Sequence, residues 1–401
     1  MNASDASWQT PDTRPRTPGA PHILVRGVNW LGDAVMTTPA LLRLREKFPE
    51  AHITLLTSEK LEELWMGHPA VDEIITFDTG ESIFSVGRKL RRRGERTREP
   101  GQKFDLALVL PNSPRSAMET WLARIPQRIG YARPGRNFFL TRAIAPRAEF
   151  VKMQKRSVGE IRRLAAAEVN RRTVPVNRAF PSATTNAHQI HEYLHLTAAL
   201  GARPEPLAPQ LFVSPDEIEA AKKKFGLEQT TQPVFGLNPG AEYGPAKRWP
   251  VERFVAATTE IQKRTNCLWL ILGGKNDAPI AAQIESALRP PPSALRNLSG
   301  QTSLRELMAL LKFCRVLLTN DSGPMHVAAA LGTPVVTPFG STSPELTGPG
   351  LPGDSRHRLL KSNAPCSPCF LRECPIDFRC LNGITVERVV ETVLEVVLAT
   401  K

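Results

Sequence analysis

The chain has 401 residues, with 52 Lys and Arg against 39 Asp and Glu, a formal charge of +13 and a hydrophobic share of 41%. That apolar share supports packed cores and excludes global disorder. No apolar run reaches the ~18 residues needed to span a bilayer. The charge points to an acidic partner: nucleic acid, anionic lipid or a phosphorylated substrate. An aromatic share of 6% speaks against stacking-based single-strand binding. The length fits two or three domains. The N-terminus lacks a charged-then-apolar signal pattern. The sequence therefore predicts a cytosolic protein whose six cysteines are reduced.

Residues 1–20 are polar and proline-containing, the composition of a disordered tail. The run HILVR at 22–26 reads as a strand, and Gly32 opens a helical stretch to about Phe48, with Leu41, Leu44 and Phe48 on one face. Strands follow at 52–57, 74–77 and 104–110, with helical stretches between them. Strand–helix alternation predicts a parallel sheet covered on both faces. After the linker at 202–206 a second series begins, with strands at 234–237, 267–272, 316–319 and 335–337 and helices near 251–264, 303–313 and 324–331. The expectation is α/β: a first domain at 21–205, a second at 206–401, both doubly wound, with a cleft between them. Residues 148–185, basic and holding Pro175 and Pro181, read as a peripheral insertion in the first.

Ligands of such sheets bind beyond the carboxyl ends of the strands, and three loops there carry chemistry. In the first, Gly27-Val28-Asn29-Trp30-Leu31-Gly32-Asp33, the spacing is not that of a dinucleotide fingerprint. Asp33 falls at a helix N-terminus, where two readings stand, a cap and a catalytic carboxylate. The second runs from Asn238 to Pro250 and joins Gly240 and Gly244 to the adjacent cations Lys247 and Arg248. Amide donors with fixed positive charge suit a diphosphate. In the third, Thr319 to His326, a strand meets a helix N-terminus that again offers amides to an anion. There Asp321 suits sugar hydroxyls and Ser322 a phosphate oxygen. His326 is open to two readings, a packed core histidine and a ligand contact.

Six segments, GVNWLGDAVMTTPALL, LVLPNSPRSA, RIGYARPGR, NPGAEYGPAKRWP, NDSGPMHVAAALGTP and FGSTSPELTGP, occur in this order between Gly27 and Pro349. Together they resemble the lipopolysaccharide heptosyltransferases of glycosyltransferase family 9, most like the heptosyltransferase II branch. The resemblance implies a GT-B fold, two Rossmann-like domains facing a cleft, the first for the acceptor and the second for the nucleotide sugar. It implies inverting, metal-independent transfer of heptose from ADP-heptose to an acceptor of the heptosyl-Kdo2-lipid A type. It places the enzyme in the cytoplasm, peripheral on the inner face of the inner membrane, with no cofactor and no nucleic-acid partner.

In that frame Asp33 is the expected base for the acceptor hydroxyl. Lys247, with Arg248 and the amides of Ser322 and Gly323, stabilises the departing ADP. Asn238, Gly240, Asp277, Asp321 and His326 complete the expected donor site, with Asp277 toward the adenosine ribose. Gly32, Asn112, Ser113 and Arg115 are the expected acceptor contacts. Heptosyltransferase I, another nucleotide-sugar transferase of this architecture and a non-catalytic lipid- or nucleic-acid-binding scaffold are the alternatives.

Cys366, Cys369, Cys374 and Cys380 lie within fifteen residues, and three readings stand: a zinc site, disulfides, or a loop of reduced thiols. Arg88, Lys89, Arg91, Arg92, Arg93, Arg96 and Arg98 form a basic run. It is read either as a solvated face or as a contact for anionic lipid.

Overall fold

The computed structural model describes residues 19–95, 103–169, 185–288 and 294–399. Most of the expected tail, Arg96 and Arg98 of the basic run, and Pro175 and Pro181 lie outside the described residues. In chain order come β1 (His22–Arg26), α1 (Leu31–Lys47), β2 (His52–Ser58), α2 (Glu62–Trp65), β3 (Glu73–Phe77), α3 (Ile83–Glu95), β4 (Leu106–Val109) and α4 (Pro114–Leu122). β5 (Gln127–Tyr131), β6 (Arg142–Ile144), α5 (Val158–Val169), α6 (Ile190–Ala198) and α7 (Pro215–Lys224) follow. Then come β7 (Val234–Asn238), α8 (Val251–Thr265), β8 (Leu268–Ile271), α9 (Ala278–Ala287), β9 (Leu295–Asn297), α10 (Leu304–Phe313) and β10 (Val316–Thr319). The chain ends with α11 (Gly323–Ala330), β11 (Val335–Pro338), α12 (Pro344–Thr347), β12 (Arg358–Leu360), α13 (Arg379–Asn382) and α14 (Val386–Ala399).

The chain divides into two compact units, Met1–Ala148 with Ile190–Pro206, and Glu149–Gln189 with Leu207–Lys401. Each holds a six-stranded parallel sheet, in the order β3-β2-β1-β4-β5-β6 in the first and β12-β11-β10-β7-β8-β9 in the second. Strand order reverses beside β1 in one sheet and beside β7 in the other. The crevices between β1 and β4 and between β7 and β10 are thus the places where a ligand finds room.

The central strands are apolar on both faces because helices cover both: every residue of β1, β2 and β7 is buried. In the second unit α14 lays Val389, Val390, Val393, Val396 and Val397 into a core shared with Phe235, Trp249, Phe254 and Trp269. Each such valine contributes about 1.5–2 kcal/mol of burial. Ser214 and Ser303 open α7 and α10 with reciprocal capping by Glu217 and Glu306, the pattern that fixes a helix start. The basic run folds into α3, burying Val86 and Leu90 and exposing Arg88, Lys89, Arg91, Arg92 and Arg93.

The segment 148–185, expected in the first domain, packs with the second in its described parts. Arg156 N–H donates to Cys369 O at 3.0 Å, and Ile161 shares an apolar cluster with Cys366 and Cys369. Farther along, His188 Nε2 bonds Gly348 O at 2.9 Å. The sequence hid this because the partners lie some 200 residues away. The inner strand β5 and the edge strands β6, β9 and β12 were not foreseen either. β6, β9 and β12 have three residues each, too few for a period-two pattern to show.

Candidate active site

In the first unit the crevice is built on a buried ion pair. Arg26, the last residue of β1, is register partner of Val109, the last of β4. Its Nε donates to Glu119 Oε2 at 2.8 Å, and its Nη1 donates to Gly27 O at 2.5 Å and Asn29 Oδ1 at 3.0 Å. The guanidinium lies 4.4 Å from the Phe77 ring centroid. Arg26 therefore ties the 27–33 loop to α4. Trp30 occupies the N-cap of α1, so Asp33 is not the capping residue. It sits with Gly32 in the first turn, half-buried, where the helix dipole favours its carboxylate.

The expected acceptor residues divide. Asn112 is exposed beyond β4. Ser113 is the N-cap of α4, its hydroxyl accepting from Ser116 N–H, which is a structural part. Arg115 Nε donates to Glu119 Oε1 at 3.0 Å, and its Nη2 donates to Glu81 O, so much of its fork holds the scaffold. Arg136 stands in the RIGYARPGR segment with no role expected. It is fully buried, and its Nη1 donates to Pro111 O at 2.7 Å. Its Nε and Nη2 have no hydrogen-bond partner. Gly130 makes room, since a Cβ there would lie 2.8 Å from Nη2. Burial and the neighbouring Arg133 push the guanidinium down to about 10.

In the second unit two asparagines clamp the loops. Asn238, register partner of Thr319, donates from Nδ2 to Leu272 O at 2.8 Å. Its Oδ1 accepts from Thr319 Oγ1 at 3.2 Å and Ser322 Oγ at 3.0 Å. Asn320 Oδ1 accepts from Trp249 N–H at 2.9 Å, and its Nδ2 donates to Pro239 O at 2.7 Å. Both side chains are buried and engaged, so Asn238 positions the site rather than touching the donor through its amide. The Ser322 hydroxyl is likewise turned inward and does not cap α11. The Asp277 carboxylate accepts from Gly274 N–H at 2.9 Å and rests on Gly240, where a Cβ would lie 2.0 Å from Oδ1. Any residue but glycine at 240 displaces it.

Between these clamps sit the charges. Lys247 Nζ lies 2.7 Å from Asp321 Oδ2, and Thr342 Oγ1 donates to the same oxygen at 2.5 Å. Asp321 is 4% exposed. Lys247 lies 4.9 Å from the Tyr243 ring centroid, and Arg372 lies 5.3 Å from it. Arg248 Nη2 donates to Ala241 O at 3.2 Å, while its Nε has no partner. Lys247 pairs with the buried Asp321 carboxylate, while Arg248, bonded to Ala241 O, and Arg372, on the Tyr243 ring, add positive charge to the same loop region, a set of cations suited to a diphosphate. His326 is buried, and desolvation pushes it down to about 4 against the pull of Asp321. It is a neutral imidazole at physiological pH.

Tyr243, Asn320, Thr342 and Arg372 were missed. Three of them flank expected residues in sequence or in space; Arg372 lies in the cysteine-rich segment. That segment is a brace. Arg372 O accepts from Ala246 N–H at 2.9 Å, Phe370 O accepts from the Tyr243 hydroxyl at 2.8 Å, and the Cys369 and Phe370 amides donate to Ser341 O at 3.1 and 2.7 Å. All six cysteines of the chain are free thiols. Burial pushes Cys366 and Cys369 up, and Cys380 up to about 12. Among the described residues no three of the four sulfurs lie within 4.8 Å of one another.

The family model for glycosyltransferase family 9 (heptosyltransferase) matches residues 162–378. The chain is 31% identical to lipopolysaccharide heptosyltransferase 2 of Salmonella typhimurium over 335 residues, 82% of this chain and 85% of the relative. It is 30% identical to lipooligosaccharide heptosyltransferase 2 of Haemophilus influenzae over 335 residues, 82% and 86% of the two chains. The solved structure of E. coli ADP-heptose lps heptosyltransferase II is similar at a TM-score of 0.72 and 28% identity, covering 94% of this chain and 99% of that one. With a parallel six-stranded sheet in each of its two units, a family model matched over more than half its length and relatives 30–31% identical over 82% of it, the chain belongs to glycosyltransferase family 9.

Proposed function

We propose that the chain transfers L-glycero-D-manno-heptose from ADP-heptose to the first heptose of the lipopolysaccharide inner core, with inversion at the anomeric carbon. The observation that carries this is the likeness to heptosyltransferase 2 relatives over four-fifths of the chain. The cation-rich Lys247 loop adds chemical support. Asp33 accepts the proton of the attacking acceptor hydroxyl. As the glycosidic bond to ADP breaks, charge builds on the β-phosphate. Lys247, Arg248 and the Ser322 and Gly323 amides stabilise that charge more in the transition state than in the ground state. Asp321, whose Oδ2 is already held by Lys247 and Thr342, orients donor hydroxyls through its other oxygen.

Among the described residues no helix is long and apolar enough to cross a membrane. The site of action in this reading is the cytoplasmic surface of the inner membrane, which the exposed cations of α3 approach electrostatically. The test is a transfer assay with ADP-heptose and UDP-sugars against inner-core acceptors carrying no, one or two heptoses. The reading requires ADP-heptose turnover on the one-heptose acceptor. Preference for the heptose-free acceptor or for a UDP donor overturns it.

A further inference from the structure

At the end of the first sheet opposite Asp33, three consecutive strands begin with groups of metal-binding type. His22 opens β1 and His52 opens β2, and the two are register partners. Glu73 opens β3, paired with Thr54 of β2. The His22 and His52 ring centroids lie 5.0 Å apart, and His52 Nε2 is 3.6 Å from Glu73 Oε2. One ligand atom from each of the three lies within 4.8 Å of the other two. His22 is 2% and His52 9% exposed, and the Phe104 ring, 4.2 Å from that of His22, walls the cluster from water.

Hydrogen bonding accounts for only part of this cluster. His22 Nε2 and Thr54 Oγ1 are 2.9 Å apart, and Thr54 Oγ1 donates to Glu73 Oε2 at 3.0 Å. His52 Nε2, buried and aimed at the same carboxylate, has no hydrogen-bond partner. An unsatisfied buried polar atom calls for an explanation, and a nitrogen lone pair beside a second imidazole and a carboxylate is a ligand set. Arg93 contacts the other oxygen, Glu73 Oε1, from a side chain that is 61% exposed. It is a movable competitor rather than a fixed part.

We propose that His22, His52 and Glu73 form a binding site for a divalent transition ion of the zinc class, which ties together the amino ends of β1, β2 and β3. Two imidazoles and one carboxylate suit Zn²⁺, Co²⁺ or Ni²⁺ and not the oxygen-seeking Mg²⁺ or Ca²⁺. The site is remote in the sheet from the 27–33 loop, so its effect is on stability, independent of the transferase reading.

The experiment titrates Co²⁺ and Zn²⁺ into chelator-treated full-length protein at neutral pH, following absorbance and melting temperature. One Co²⁺ should bind with the visible bands of a nitrogen–oxygen site, and Zn²⁺ should displace it and raise the melting temperature. His52→Gln and Glu73→Gln should each weaken binding by at least about 100-fold, because losing a ligand costs no less than the 10–100-fold typical of losing a partner that only orients one. Arg93→Gln, a surface change that keeps the fold, should tighten it by about tenfold, because a competing cation is gone. Cys369→Ser should change nothing, and thiolate charge-transfer bands should be absent. No saturable binding overturns the proposal. So does binding that Arg93→Gln and His52→Gln leave unchanged, or a thiolate spectrum abolished by Cys369→Ser.

Discussion

Replacing Lys247 by Met separates what this residue does for the fold from what it does for the donor. The change leaves the Asp321 carboxylate, 4% exposed, bonded by the Thr342 hydroxyl but without its cation. Breaking a buried pair from one side costs roughly 3–5 kcal/mol. Lys247 is 14% exposed and Thr342 remains, so the lower end, about 3 kcal/mol, applies. Adding Asp321→Asn removes the stranded charge and should bring stability back to within about 1 kcal/mol of the parent. Donor binding should not return. A charge-assisted bond to phosphate is worth about 1.5–3 kcal/mol, so ADP should bind about 10–100-fold more weakly in both the single and the double variant. Calorimetric unfolding gives the first quantity and titration calorimetry with ADP the second. If the single variant binds ADP within threefold of the parent, or the double variant regains full affinity, Lys247 is a structural partner of Asp321 and nothing more.

Asp33→Asn should lower turnover by about 10²–10⁴-fold while ADP affinity stays within a few-fold, because the residue belongs to the first unit; near-normal turnover ends its assignment as base. Arg91, Arg92 and Arg93 changed together to Gln should weaken co-sedimentation with anionic vesicles at low salt and leave turnover on a lipid-free acceptor intact, each exposed cation being worth about 1 kcal/mol near such a surface. Equal sedimentation of variant and parent leaves the basic face of α3 merely solvated. Stability should fall between pH 6.5 and 4. Burial pushes His68, His326 and His357 from 6.5 down to about 4, so the unfolded chain binds their protons first. Their contribution is present above pH 6.5 and lost as the pH drops through 4, at most about 3 kcal/mol each. Glu73 and Asp354, held down to about 2 from 4.5 and 3.8, lose their contributions mainly below those values, so the stretch from pH 6.5 to 4.5 belongs chiefly to the histidines. A urea midpoint that does not move between pH 6.5 and 4.5 contradicts this.

What could be read from the sequence follows from the range of each signal. The central strands were visible because HILVR and VLLT each hold three consecutive large apolar residues, Ile23–Val25 and Val316–Leu318, without the polar alternation of a half-exposed strand, as burial on both faces requires. The loops that hold Asp33, Lys247 and Asp321 could be placed after strand ends because glycine, charge and the end of an apolar run coincide within a few residues. The inward turn of Asn238, Ser322 and Arg115 was not visible. An amide, a hydroxyl or a guanidinium looks the same in sequence whether it faces a ligand or a neighbouring loop. The choice is made by partners 34, 84 and 34 positions away, at Leu272, by way of Asn238 for Ser322, and at Glu81. The brace formed by the cysteine-rich segment escaped for the same reason, since its bonds to Ala246 and Ser341 are made largely by backbone atoms, which composition does not mark.

The two switch points are built on one principle with opposite chemistry. In the first unit an ion pair sits below the loop: Arg26 and Glu119 are 2% and 0% exposed in their side chains, and the loop is hung from the guanidinium through Gly27 and Asn29. In the second unit neutral amides lie below, with Asn238 and Asn320 joining three strand ends. The ion pair of Lys247 and Asp321 stands above them, next to the loop glycines. Neutral clamps hold geometry without adding charge to the field around Lys247 and Asp321. Hydrogen bonds already made to the frame need no rearrangement when a diphosphate arrives, which is the condition under which fixed dipoles and cations lower a barrier. A buried ion pair used as a frame costs desolvation that its attraction barely offsets. Its place under the Asp33 loop therefore has to be explained by position, since Glu119 receives Arg26 from β1 and Arg115 from the turn of α4, and fixes both loop bases at once.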